Sequence, residues 1–254
     1  MIKLSKRLAT IAELVPDGSA LADIGTDHAL LPVYLVQQGR IRKAVAGELN
    51  LGPYEAALRQ VRKAGLESSV SVRRGDGLRV LAPGEADAIT IAGMGGGLIV
   101  NILDQDEKGV LAHVRTLILQ PNVAEDAVRR WLLEHDYVLD EERIVEEDGI
   151  AYVILKAVQA PYADRTQEDV YRERTLPSGY RLAREDLIRL GPYLVERMEP
   201  EFVRKLREEK EKLEKIRRTI AAQASSPQSA QRLREVEESI GKIANVLRGQ
   251  EQEA

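Results

Sequence analysis

The chain contains no cysteine, which removes disulfides, thiolate nucleophiles, iron–sulfur clusters and cysteine-type zinc sites at once. Histidine is scarce: His28, His113 and His135 are all there is, with no pair at ligand spacing on one helical turn, so no metal centre is expected. No apolar run approaches the roughly 18–20 residues a membrane span needs, and no membrane partner is expected. The opening MIKLSKRLATIAEL mixes charge into helical apolar spacing. A signal peptide has a continuous apolar centre instead, so this segment reads as part of the fold of a cytoplasmic protein. Aromatic residues make up only 4%, which leaves few platforms for stacking the bases of a single strand. Chemistry must therefore come from carboxylates or from a bound organic cofactor.

What is present points to an α/β protein. The 254 residues, 44% hydrophobic and 31% charged, suffice for one sizeable domain with an appendage. Charge is uneven: residues 1–80 hold 12 Lys/Arg against 8 Asp/Glu, and residues 81–160 hold 6 against 15. A basic first quarter suits a face that meets phosphates. Short β-type runs at Leu21–Ile24, Ala44–Glu48, Val70–Arg73, Ala88–Ala92 and Leu117–Leu119 alternate with helical segments. That alternation predicts a parallel sheet with helices on both faces. The last two runs, Val138–Val145 and Ala151–Ala157, are separated by a stretch too short for a crossover, so an antiparallel hairpin is expected at one sheet edge. The spacing thus predicts a class I methyltransferase Rossmann-like sheet over residues 1–160. Residues 161–254 read as a second domain: a polar connector, then two helices with coiled-coil spacing, broken at Ser225-Ser226-Pro227 into a helical hairpin.

The strand ends carry the chemistry. The first ends in Asp23-Ile24-Gly25-Thr26-Asp27-His28-Ala29. The glycine lets backbone approach a ligand, and the acid two positions earlier disfavours a pyrophosphate but suits a cationic amine. The second ends in Glu48, at about the interval where a ribose-binding acid is found, with Asn50 beside it. The third leads into Gly75-Asp76-Gly77, where Asp76 can accept from an adenine amine. The fourth runs into Ala92-Gly93-Met94-Gly95-Gly96-Gly97 and the fifth into Gln120-Pro121-Asn122. Open α/β sheets bind ligands at this edge, and three acids in register there suit S-adenosylmethionine (SAM).

With these residues in place, the sequence resembles the bacterial tRNA (adenine-22-N1)-methyltransferases. The resemblance rests on Leu4-Ser5-Lys6-Arg7-Leu8, on Ala22–Ala29 with Leu31-Pro32, and on Ala46-Gly47-Glu48-Leu49-Asn50. Gly75-Asp76-Gly77-Leu78, Ala92–Gly96 and Leu119–Asn122 complete it. It spans nearly the whole chain, with Leu30 standing where an aromatic residue is common. The resemblance implies methylation of N1 of adenine 22 in tRNA with SAM as cofactor. The cofactor residues are then Asp23, Gly25, Thr26, His28, Glu48, Leu49, Asn50, Asp76, Gly77 and Gly93. Asp27 is the candidate catalytic carboxylate, acting by charge stabilisation or by accepting the adenine amine proton, with helix capping as the alternative. Lys3, Lys6, Arg7, Arg59 and Arg62 are candidate phosphate contacts, as are Lys63, Arg73 and Arg74, and Met94 and Asn122 are candidate base contacts. The helical seam can be satisfied within one chain, which favours a monomer. Two other readings stay open: a SAM-dependent methyltransferase of small molecules or proteins, and an RNA-binding module without activity.

Overall fold

The computed structural model describes residues 2–176, 178–223 and 227–251. Chain contacts divide it into two units, Met1–Val170 and Tyr171–Ala254. The first holds α1 (Lys6–Leu14), β1 (Ala20–Ile24), α2 (Leu30–Gln37), β2 (Lys43–Glu48), α3 (Leu51–Ala64), β3 (Val70–Arg74) and β4 (Ala88–Met94). It continues with α4 (Gly96–Asp104), β5 (Thr116–Pro121), α5 (Glu125–Glu134), β6 (Tyr137–Glu147), β7 (Ile150–Gln159) and α6 (Gln167–Val170). Beyond β7 the unit includes the short helix α6, which packs on β6.

The seven strands form one sheet in the order β3-β2-β1-β4-β5-β7-β6. Strands β1 to β5 pair in parallel, and β7 pairs antiparallel with both β5 and β6. This is the mostly parallel sheet with a terminal hairpin that the alternation of strand and helix predicts. The sheet is apolar on both faces because both are covered. Leu21, Ala44, Ala88 and Ile118 form one core with Leu8 and Ile11 of α1 and Leu31 and Leu35 of α2. Helices α4 and α5 pack on the strands β4, β5 and β6.

Local chemistry fixes the helix ends near the site. The Ser5 hydroxyl accepts from the Leu8 amide at 3.3 Å and starts α1, an N-cap of the usual kind. Arg40 finishes it, donating to the Ala12 and Val15 carbonyls at 2.7 Å each. At the start of α4, Gly96 donates to the Val123 carbonyl at 2.8 Å. A Cβ on Gly96 would stand 2.2 Å from the Ala124 carbonyl oxygen and 2.9 Å from that of Val123. Both are backbone atoms with nowhere to go. Gly96→Ala is therefore expected to lower stability by about 1–3 kcal/mol, the range for overpacking, readable as a lower denaturation midpoint with an unchanged slope.

In the second unit, β8 (Arg174–Thr175) and β9 (Arg181–Leu182) form a small ladder, followed by α7 (Arg184–Leu190) and α8 (Pro192–Arg197). The expected polar connector is thus partly structured: Leu187, Leu190, Leu194 and Val195 are buried. The long helices α9 (Pro200–Gln223) and α10 (Pro227–Glu251) pack against each other. Arg189 of α7 reaches both, donating to Glu209 at 3.0 Å and to Ser239 at 2.9 Å. Ser225 and Ser226 of the expected break, and residues 252–254 of the expected second domain, lie outside the described residues.

Candidate active site

The C-terminal ends of β1 to β4 surround a cavity of about 390 Å³, within the roughly 300–1,000 Å³ of small-molecule sites. Backbone bonds hold its rim together. The Gly25 and Thr26 amides donate to the Gly47 carbonyl at 2.9 and 3.0 Å, and Gly75 donates to the Glu48 carbonyl at 3.0 Å. Gly25 has φ of +71°, a conformation that favours glycine. Its missing side chain leaves room for Met94, whose methyl would lie 2.0 Å from a Cβ placed there.

Four carboxylates line the cavity: Asp23, Asp27, Glu48 and Asp76. Asp23 is buried, and each of its oxygens accepts one threonine hydroxyl at 2.6 Å, from Thr26 and from Thr90. Burial pushes its carboxyl up from the ordinary range, the two hydroxyls pull it partly back, and the charges of Asp27 and Glu48 add smaller upward pushes. An acid in that position gains from a cation placed beside it. Glu48 is also buried, with one carboxylate oxygen accepting from the Asn50 amide at 2.8 Å. Asp76 is half exposed, with Arg79 3.8 Å away.

Asp27 stands at the cavity mouth, its side chain 64% exposed, 3.7 Å from Nε2 of His28. Its backbone carbonyl, not its carboxylate, accepts the Leu30 amide. Helix α2 has Ala29 as its N-cap and no side-chain cap, so helix capping does not account for Asp27. His28 and Ala29 are both left-handed, with φ of 53° and 52°. Two such residues in a row store strain of roughly 1 kcal/mol or more each, at the turn that carries Asp27.

Among the other expected cofactor residues, Gly25, Leu49, Asn50, Gly77 and Gly93 line the cavity, as does Met94. Thr26 and His28 do not: Thr26 acts through Asp23, and His28 is exposed. Lys3, Lys6, Arg59 and Arg62 are at the surface. Asn122 is exposed, with its side-chain oxygen accepting from Gln120 at 3.0 Å. Arg73 is held by Glu85 at 2.7 and 2.5 Å instead of being free for phosphate. Arg7, expected at the surface, lines the cavity. Sequence reasoning missed Thr90, whose signal was a lone polar residue in the apolar strand β4, and Leu98 and Ile102, which line the cavity from one face of α4.

The set fits SAM by charge. A sulfonium and an ammonium suit a carboxylate-rich cavity, while a ribose diol and an adenine amine supply donors for further acids. Comparison with known proteins agrees. A family model described as tRNA (adenine(22)-N(1))-methyltransferase matches residues 21–245. The tRNA (adenine(22)-N(1))-methyltransferase of Bacillus subtilis strain 168 is 42% identical over 228 residues, 90% of each chain. The crystal structure of the B. subtilis m1A22 tRNA methyltransferase TrmK superposes with a TM-score of 0.86 at 40% identity, covering 97% of this chain and 100% of that one. A putative tRNA (m1A22) methyltransferase of Streptococcus pneumoniae, solved in complex with S-adenosyl-L-methionine, matches at 36% identity and a TM-score of 0.78, covering 96% and 100%. The chain belongs to the tRNA (adenine(22)-N(1))-methyltransferase family.

Proposed function

We infer that this chain is a SAM-dependent enzyme that methylates N1 of adenine 22 in tRNA. The observation that carries the reading is the cavity: carboxylates from three parallel strand ends meet in it, in a chain of this family. SAM supplies an electrophilic methyl group; the adenine N1 lone pair forms the new N–C bond as the S–C bond breaks, and the ring becomes cationic. Asp23 receives the ammonium group of the methionine part, Glu48 the ribose hydroxyls and Asp76 the adenine amine. Asp27 stands where it can face the positive charge growing on the target ring. N1 carries its own lone pair, so no base is needed to remove a proton first. Exposed Lys3, Lys6, Arg59 and Arg62 meet tRNA phosphates, and Met94 and Asn122 flank the target base. The protein acts as a monomer in the cytoplasm.

Incubating the protein with SAM and unmodified tRNA tests the reading by mass spectrometry of the released nucleosides. One 1-methyladenosine per tRNA is expected with adenine at position 22, and none with guanine there. A product that survives the guanine substitution would move the target elsewhere. No product at all would remove the assignment.

The raised Asp23 carboxyl gives a further expectation. Its ionised form is the one that binds the ammonium group, so affinity for S-adenosylhomocysteine must fall as pH drops through the Asp23 pKa. Because burial has raised that pKa, the fall begins above the ordinary carboxylate range. Asp23→Asn should weaken binding on the order of 10- to 100-fold and flatten its pH dependence, while tRNA binding stays nearly intact. Calorimetry across pH reads both effects, and an unchanged affinity would remove Asp23 from the cofactor site.

A further inference from the structure

Asn122 stands beside the cavity with its side-chain amide turned by a relay of hydrogen bonds. Strands β4 and β5 shift register between Ala92 and Met94, and the Gly93 amide at that irregularity donates to the Gln120 side chain at 3.1 Å. A terminal nitrogen of Arg7 donates to the same Gln120 atom at 2.5 Å. Both partners can only donate, so that atom is the oxygen and the Gln120 amide nitrogen points the other way. Gln120 is fully buried, so reversing it would set two donors against its nitrogen with no water to relieve them. That nitrogen donates to the Asn122 side-chain oxygen at 3.0 Å. The Asn122 backbone amide donates to the Met94 carbonyl at 2.7 Å, which ties the residue to the cavity wall. Its side-chain nitrogen is left over. It belongs to an exposed residue and has no protein acceptor among the described residues.

We propose that this nitrogen donates to N7 of the target adenine and so selects the edge by which the base is held. The proposal rests on reading the chain as an adenine-N1 methyltransferase. N1 must stay bare, because its lone pair forms the new bond and a protein donor there would block attack. The Watson–Crick edge therefore cannot be read in full. Adenine presents its amine and N7 on the other side, the edge that an asparagine amide suits. N7 carries a lone pair and no proton, so it needs a donor. Lysine or arginine would also donate, but either would set a positive charge beside a ring that becomes cationic. A neutral amide does not. The strand order β1-β4-β5 places the turn bearing Asp27, the Met94 end of β4 and Asn122 side by side. An extruded base lying over Met94 then meets Asp27 on its N1 side and Asn122 on its N7 side. A pyrimidine has no N7 to offer. Guanine keeps N7, but its N1 carries a proton and its O6 faces a carboxylate.

Methylation of two tRNAs tests this, one with adenine and one with 7-deazaadenine at position 22. The replacement removes N7 and leaves N1 and the amine. Its effects on N1 basicity and on the RNA fold are common to every protein variant. The informative quantity is thus the preference, the ratio of the two kcat/KM values, compared between proteins as in a double-mutant cycle. The preference for adenine should be about 3- to 10-fold greater in the unmodified protein than in Asn122→Ala, the worth of one neutral hydrogen bond. Asn122→Asp, which presents an acceptor to N7, should show a preference no higher than that of Asn122→Ala. The same preference in the unmodified protein and in Asn122→Ala would overturn the proposal, whatever the loss of overall rate, and would leave Asn122 as a brace between β4 and β5. A preference in Asn122→Asp as large as in the unmodified protein would overturn it as well. If the unmodified protein methylated neither tRNA, the adenine-N1 reading itself would fall, and this proposal with it.

Discussion

Asp27→Asn should reduce the single-turnover rate of tRNA methylation by about 10²- to 10³-fold, the size of effect seen when one aimed electrostatic group is lost from a reacting centre. Binding of S-adenosylhomocysteine and of tRNA should change little. Positive charge leaves the sulfur and spreads over the adenine ring as the bond forms, so a fixed carboxylate beside the ring stabilises the transition state more than the ground state. In the free protein Asp27 is 64% exposed, where water screens it. Its field gains strength only when RNA covers the mouth and lowers the local dielectric. Asparagine separates the two chemical roles open to this residue. It keeps an oxygen that accepts from the adenine amine and removes only the charge. A rate close to that of the unmodified protein for Asp27→Asn, with a large loss for Asp27→Ala, would assign Asp27 to orienting the base. Equal large losses assign it to charge. A third result, full activity in both, would end its catalytic role. Capping of α2 offers no competing explanation, because Ala29 occupies the N-cap and no side chain bonds there.

The parts of this site that lie within a strand and its following turn were legible in the residues. Asp23, Gly25, Glu48 and Asp76 sit at strand ends whose apolar runs mark them, and a parallel sheet brings such ends to one edge. What remained hidden depends on pairing across the chain. Thr90 is 67 residues from Asp23, and Gln120 is 113 from Arg7, so nothing local tells a surface arginine from one turned into the cavity. Arg7 carries the same signature as Lys6 beside it, and only the packing of α1 on the sheet separates them. The short helices of the connector before α9 are hidden for a related reason. Leu187, Ile188 and Leu190 of α7, and Leu194 and Val195 of α8, are interleaved with charge in helices of seven and six residues, too short for a period to declare itself. Their burial is set by neighbours, not by local pattern.

The same limit hid the ion pair with the largest expected effect on stability. Arg129 of α5 and Glu142 of β6 are 1% and 0% exposed, with two guanidinium nitrogens each 2.7 Å from one carboxylate oxygen. In the sequence both sit among other charges, Arg129-Arg130 and Glu141-Glu142-Arg143, and nothing local marks them as a buried pair. Removing the charge of one partner of a buried pair takes away an interaction that offsets the desolvation of the other. Glu142→Gln is therefore expected to destabilise the first unit by about 3–5 kcal/mol, a large share of the roughly 5–15 kcal/mol that holds a domain together. The double substitution Arg129→Met with Glu142→Leu removes both desolvation terms and should recover most of that loss, because apolar groups of similar volume often replace such pairs at no net cost. Trp131 is the one tryptophan in the chain and lies buried in α5, stacked on His135 with ring centroids 4.1 Å apart. Its fluorescence during urea titration thus reports the unit that carries the pair. A loss below about 1 kcal/mol in Glu142→Gln would place the pair with exposed bridges of little worth. A double variant no more stable than the single one would show that the pair fixes the packing of α5 on β6, not merely its charge balance. The test bears on function as well. Strand β6 also carries Glu147, which accepts the backbone amide of Arg7 at 3.2 Å. A shift of β6 therefore reaches the cofactor cavity, and the affinity for S-adenosylhomocysteine should fall in the single variant and return in the double one.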